Sequence, residues 1–133
     1  MKLRWISLLL PLFSSPLFGY QLPTEIIEQF DDSKIVAFIN ESQFANAKPW
    51  NPMSEAPPFT LQQAIQAMKQ HYIDEKKDPA ALSVSEIEVR KTLAHKELWH
   101  YIIKARVGHD TLYYLVLMNG SVIPAVVEPE SYK

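Results

Sequence analysis

A chain of 133 residues, 47% hydrophobic and 21% charged, carries enough apolar side chain for one domain and too much for a disordered protein. Its formal charge of −2 and its lack of a basic run give no electrostatic reason to bind nucleic acid or an anionic membrane. With no cysteine, disulfides are excluded as a source of stability, so the fold must rest on an apolar core or on association.

Residues 1–19 have the three-part layout of a secretory signal peptide. Lys2 and Arg4 come first, an apolar run extends from Trp5 to Phe13, and a Ser/Pro/Gly segment ends at Gly19. The run is too short to span a bilayer, so the expectation is an exported protein, periplasmic or secreted, with no membrane insertion after cleavage. Removing Lys2 and Arg4 takes the net charge from −2 to −4.

Residues 20–59 read as an extended Pro-rich arm. "LPTEIIEQF" suggests one or two helical turns and "SKIVAFIN" a short strand, while Pro49, Pro52, Pro57 and Pro58 forbid regular ladder or helix bonding. The third segment, 60–133, is sharper. Thr60 and Gln63 have capping-box spacing, and Leu61, Ala64, Ile65, Met68 and Tyr72 fall on one face of a helix ending near Asp74. Alternation in "LSVSEIEVRKTL" separates Ser85, Ile87, Val89 and Lys91 from Val84, Glu86, Glu88 and Arg90. In "LWHYIIKARV", Trp99, Tyr101, Ile103, Ala105 and Val107 oppose His100, Ile102, Lys104 and Arg106. The closing hairpin turns at Asn119-Gly120, read as a two-residue type I′ turn that sets Val116 opposite Ile123 and Leu115 opposite Pro124. Pro124 then lacks a donor on the outer side, which predicts that the last strand is a sheet edge. The expected fold is α+β, one main helix packed on a three- to four-stranded antiparallel meander sheet, with the arm extended.

If the turn at 108–110 is a two- or four-residue loop, one sheet face meets the helix, through Ala105 beside Tyr114 and Ile103 beside Val116. The other carries Ile102, Lys104 and Arg106 beside Tyr113, Leu115 and Leu117, with Val122, Pro124 and Val126 beyond. A three-residue loop with a bulge would swap the faces of the last hairpin but still leave one uncovered. A contiguous apolar patch of this size needs a cover. Three covers are open: the arm, through Phe38, Phe44 or Trp50; a second copy, sheet against sheet; or a partner. The expected binding surface therefore has Tyr113, Leu115 and Leu117 at its centre and Arg90, Lys104 and Arg106 as a polar rim.

Chemistry is thinly signalled. The histidines His71, His95, His100 and His109 stand in no metal-ligand spacing and read as solvated or singly hydrogen-bonded. Three glycines cannot build a phosphate loop, and "NGS" is a turn, not a nucleophile elbow. Glu86, Glu88, Arg90, Lys104 and Arg106 suggest a cross-strand charge ladder. No catalytic residue, metal or cofactor is expected; the enzymatic alternative is a hydrolase using His100 with Glu86 or Glu88.

Residues 59–127 resemble a PepSY-type domain, through "FTLQQAIQAMKQHY" as leading helix, "LSVSEIEVRK" and "LWHYIIKARV" as strands, and "TLYYLVLMNGSVIPAV" as closing hairpin. The family's usual aspartate at the turn is replaced by Asn119. "KPWNPMSEAPPFTLQQAI" is also similar to the start of small exported bacterial proteins of unknown function. The resemblance implies an exported module that binds or inhibits peptidases or acts in regulation, with no catalytic residues. The expected function is thus a non-enzymatic binding or regulatory module for an unknown protein or peptide, with a homodimeric structural or small-ligand-binding domain of the cell envelope as the alternative.

Overall fold

The structure, a computed structural model, describes residues 23–30, 33–92 and 97–128. The signal-peptide reading of 1–19 and the placing of His95 lie outside them. Among the described residues six antiparallel strands form one sheet: β1 (Thr24–Phe30), β2 (Ser33–Ile39), β3 (Leu82–Lys91), β4 (Trp99–Val107), β5 (Asp110–Leu117) and β6 (Val122–Val127). Their order across the sheet is β1-β2-β6-β5-β4-β3, and the sheet curls into a half-barrel. α1 (Glu41–Phe44) is a single turn, and α2 (Leu61–Asp74) is the one helix of seven or more residues among the described residues. This overturns the expected architecture of one main helix on three or four strands with an extended arm. The arm contributes two strands of its own.

The helical reading of "LPTEIIEQF" fails for an identifiable reason. Ile26, Ile27 and Phe30 have helical spacing, but the residues that go inward are Ile26, Glu28 and Phe30, the period of a strand. A buried glutamate in the middle disguises the alternation.

α2 forms as its sequence predicts. Thr60 Oγ1 accepts from the Gln63 amide at 3.1 Å and Gln63 Oε1 accepts from the Thr60 amide at 2.8 Å, which closes the capping box. Ala64, Met68 and Tyr72 face the sheet, while Leu61 is exposed. The helix covers Tyr101, Ile103, Ala105, Tyr114, Val116 and Met118. The predicted face is right and the turn has one of the expected lengths, two residues at Gly108-His109, but the rungs lie one pair away: that turn pairs Val107 with Asp110, so Tyr114 lies opposite Ile103 and Val116 opposite Tyr101. Gly108 has φ +61, the positive angle that the first central position of a II′ turn requires.

The last hairpin departs further. Asn119 does not adopt positive φ; only Gly120 does, at +90, and Leu117 pairs with Ser121 across a three-residue loop. The Asn119 side chain instead accepts from the Ser121 amide and donates to the Gln43 and Ala45 carbonyls, tying the turn to the C-terminal end of α1. One extra loop residue shifts the register by one, so Leu115 faces Ile123 and Tyr114 faces Pro124. Ile123, not Pro124, therefore joins the inner face. The last strand is not an edge either: β2 pairs with it at Ile35↔Val127 and Val36↔Val126. That ladder stops short of Pro124, whose missing donor points toward the β2 side.

The face opposite the helix is covered by the half-barrel itself. Ile26, Phe30, Ile35, Ala37, Ile39 and Phe44 meet Ile102, Tyr113, Leu115, Leu117 and Ile123 across its interior. Of the three residues expected to reach across from the arm, Phe44 does so, Phe38 is 54% exposed and Trp50 packs elsewhere. In β3 a bulge between Val84 and Glu86 breaks the expected alternation, moving Val84 to the side of Ile87 and Val89.

Candidate functional site

Two polar and aromatic centres share the same end of the sheet, because Arg90 pairs with His100 and Lys91 with Trp99 on adjacent rungs. Side chains alternate across the sheet, so the first rung points into the half-barrel and the second toward the helix side.

Inside, Glu28 of β1 reaches the opposite edge. Its Oε2 accepts from Arg90 Nη1 at 2.8 Å, and its Oε1 lies 3.1 Å from His100 Nε2, close enough to pair but not aligned for a straight hydrogen bond. Arg90 Nε also donates to Glu88 Oε2 at 2.7 Å. His100 is 0% exposed and Thr92 1% exposed, with Thr92 Oγ1 2.7 Å from His100 Nδ1. A ring nitrogen beside a carboxylate is best satisfied when it carries the proton, so the hydroxyl donates to Nδ1 and Nε2–H faces Glu28. Burial pushes the Glu28 carboxyl up, but His100 and Arg90 outweigh it and hold the group below its ordinary value. The same carboxylates raise Arg90 against its own burial. Arg90 and Lys104 also lie over the Phe30 ring at 5.8 and 5.9 Å.

Carboxylate, imidazole and hydroxyl stand here in the order of a nucleophilic triad. The hydroxyl and the ring are sealed from solvent, so no substrate carbonyl reaches them in this arrangement. The chemistry it does perform is cross-linking: it ties β1 to β3 and β4 where the half-barrel would otherwise gape. His100 is buried, not solvated, and its one hydrogen bond is to Thr92, within the expectation of a singly hydrogen-bonded ring; its acidic neighbour is Glu28, not Glu86 or Glu88. Glu86 makes a looser contact with Lys104, at 3.9 Å.

On the other face lies a groove of about 470 Å³ between the Pro-rich segment and the β3–β4 end. Trp50 and Trp99 meet edge to face at 5.3 Å and 71°. Trp50 is pinned at both ends: its amide donates to the Glu97 carbonyl at 3.0 Å and its indole Nε1 to the Glu55 carbonyl at 2.9 Å. Asn51 shapes the loop, its side chain accepting from the Met53 amide and its carbonyl from the Ser54 and Glu55 amides. Pro49, Pro52 and Met53, the last 92% exposed, complete the apolar lining, and Glu55, Lys91 and Glu97 provide charge at its border.

The six residues expected to form a binding surface fall in different places. Tyr113, Leu115 and Leu117 are buried in the interior cluster under β1 and β2. Arg90 serves the Glu28 cross-link, Lys104 is half-buried over Phe30, and Arg106 is exposed near the far end of β4. Sequence reading missed Glu28, Thr92, Trp50 and Trp99 as site residues. The signal for Glu28 was present: a lone acid at an inward position between Ile26 and Phe30 needs a buried partner. Among the described residues no group of three His, Cys, Asp or Glu stands close enough to hold a metal, and no helix is long and apolar enough to cross a membrane. Comparison with protein-family models, with curated proteins and with solved structures finds no match to this chain.

Proposed function

We propose that the protein is an exported, non-enzymatic binding module whose ligand site is the groove of Trp50 and Trp99. The observation that carries this reading is a pair of indoles held edge to face by fixed backbone contacts beside a nearly fully exposed Met53. Half-buried indoles, already fixed against the core, beside an open thioether in a preformed groove are suited to anchor a protein or peptide, since binding there costs little reordering. The charged border of Glu55, Lys91 and Glu97 gives the polar rim that orients a ligand. The leader-like pattern of residues 1–19 supports export. The reading rests on the groove and not on the likeness to PepSY-type domains.

A random peptide library displayed on phage and selected against the full chain tests it. Enriched peptides should change the tryptophan fluorescence and lose at least tenfold in affinity to Trp50→Ala. A library that enriches nothing, or only peptides indifferent to Trp50→Ala, overturns the reading.

A further inference from the structure

β3 ends the sheet, and its outer side has no strand partner among the described residues. Which of its backbone groups point outward follows from the turn at Gly108-His109. A two-residue turn closes on a hydrogen-bonded pair, here Val107 and Asp110, so on β4 the residues Tyr101, Ile103 and Ala105 bond to β5 and His100, Ile102 and Lys104 bond to β3. Their partners Arg90, Glu88 and Glu86 thus point inward along the ladder. Ile87, Val89 and Lys91 turn their N–H and C=O groups to the open side.

Natural sheets protect such edges, and the first half of β3 is protected by its bulge between Val84 and Glu86. Ile87 to Lys91 is regular, guarded only by its charged side chains, and it runs straight to the groove, which Lys91 helps to line. Opposite residues of an antiparallel pair share a face. A residue set opposite Lys91 therefore points toward Trp50 and Trp99, one opposite Val89 lies on a 39% exposed valine, and one opposite Glu88 meets a 43% exposed carboxylate whose Oε2 is already held by Arg90.

We infer that the groove's ligand is an extended peptide that adds to Ile87–Lys91 as an antiparallel strand, and this rests on the groove being a binding site at all. From its N-terminus the peptide carries an aromatic or large apolar residue opposite Lys91, a small residue opposite Arg90, an apolar residue opposite Val89, a basic residue opposite Glu88 and an apolar residue opposite Ile87. The main-chain bonds supply affinity and the alternate side chains supply selection.

The test takes the library-selected peptides and asks for the backbone. N-methylation of the peptide residue opposite Val89 should weaken binding to the unaltered full chain about tenfold, as loss of a main-chain hydrogen bond implies. Val89→Pro, which removes an outward donor but no bond to β4, should do the same with the thermal midpoint kept. Peptides that lack the alternation, or that tolerate both changes yet fail on Trp50→Ala, overturn strand addition and leave the groove reading standing. No enriched peptide at all overturns both. Sedimentation equilibrium of the chain alone giving a dimer mass that Val89→Pro returns to monomer would assign the edge to a second copy and overturn the peptide.

Discussion

The two faces of the central strands are covered in different ways. α2 lies across one face as a separate layer, and its amphipathic stripe and cap are set within fourteen residues by their own spacing. β1 and β2 cover the other by joining the sheet and curling with it, so their residues must meet backbone pairing, inward packing and the cross-link at once. The contacts that decide the second cover are remote in sequence: Glu28 and Arg90 are 62 residues apart. A helix can be recognised from its own period, but a strand whose one inward polar residue finds its partner across the barrel cannot.

The comparison breaks most forcibly at the shared strands. Leu115 is fully buried against the hairpin, and Leu115→Ala should cost about 3 kcal/mol, the usual sum of lost transfer energy and residual cavity. Chemical denaturation gives the number. A loss under 1 kcal/mol would mean that the hairpin closes the cavity and is only loosely held.

Next in size is the cross-link. Glu28 is 9% exposed while the Arg90 side chain is a quarter exposed, so the pair lies between surface and buried limits. Glu28→Gln, nearly isosteric, should cost about 2 kcal/mol at neutral pH. The carboxyl is held below its ordinary value of 4.5, so its contribution is complete above that value and is withdrawn as pH falls through the lower folded value. The thermal midpoint of the natural chain should therefore fall more steeply than that of Glu28→Gln on acidification below about pH 4.5, and the two curves should converge. Parallel curves would show that Glu28 is not the group that titrates. Hydrogen exchange should show the loss first in the amides of β1 and β2.

How much of this was legible follows the same division. The helix was readable from Thr60, Gln63 and the stripe to Tyr72, and the two faces of β4 and β5 from strict alternation. Asn119-Gly120 misled because the Asn119 side chain, reaching the carbonyls of Gln43 and Ala45, holds that residue outside the positive-φ region a type I′ turn needs. Pro124 misled because a missing donor blunts one stretch of a strand, whereas Val126 and Val127 two residues on were free to pair. The groove was hidden in a segment read as an irregular arm whose Trp50 was expected, if anywhere, across the other sheet face: prolines state what cannot form there, and nothing local says that Trp50 will meet Trp99.

The smallest effect sharpens the comparison most. Adjacent residues of β2 point to opposite sides, so Ile39 is sealed in the interior while Phe38 stays 54% exposed. Phe38→Thr keeps a good strand former and should change stability by no more than about 0.5 kcal/mol, whereas Ile39→Ala should cost about 3 kcal/mol. Both are read from the same denaturation series. If Phe38→Thr costs as much as Ile39→Ala, the outer side of the hairpin is itself covered, and concentration dependence of that cost would identify the cover as a second copy, since only association makes stability depend on the amount of protein. If the two differ as expected, the hairpin contributes through its inner side alone, and the cover it provides is the sheet turning back on itself.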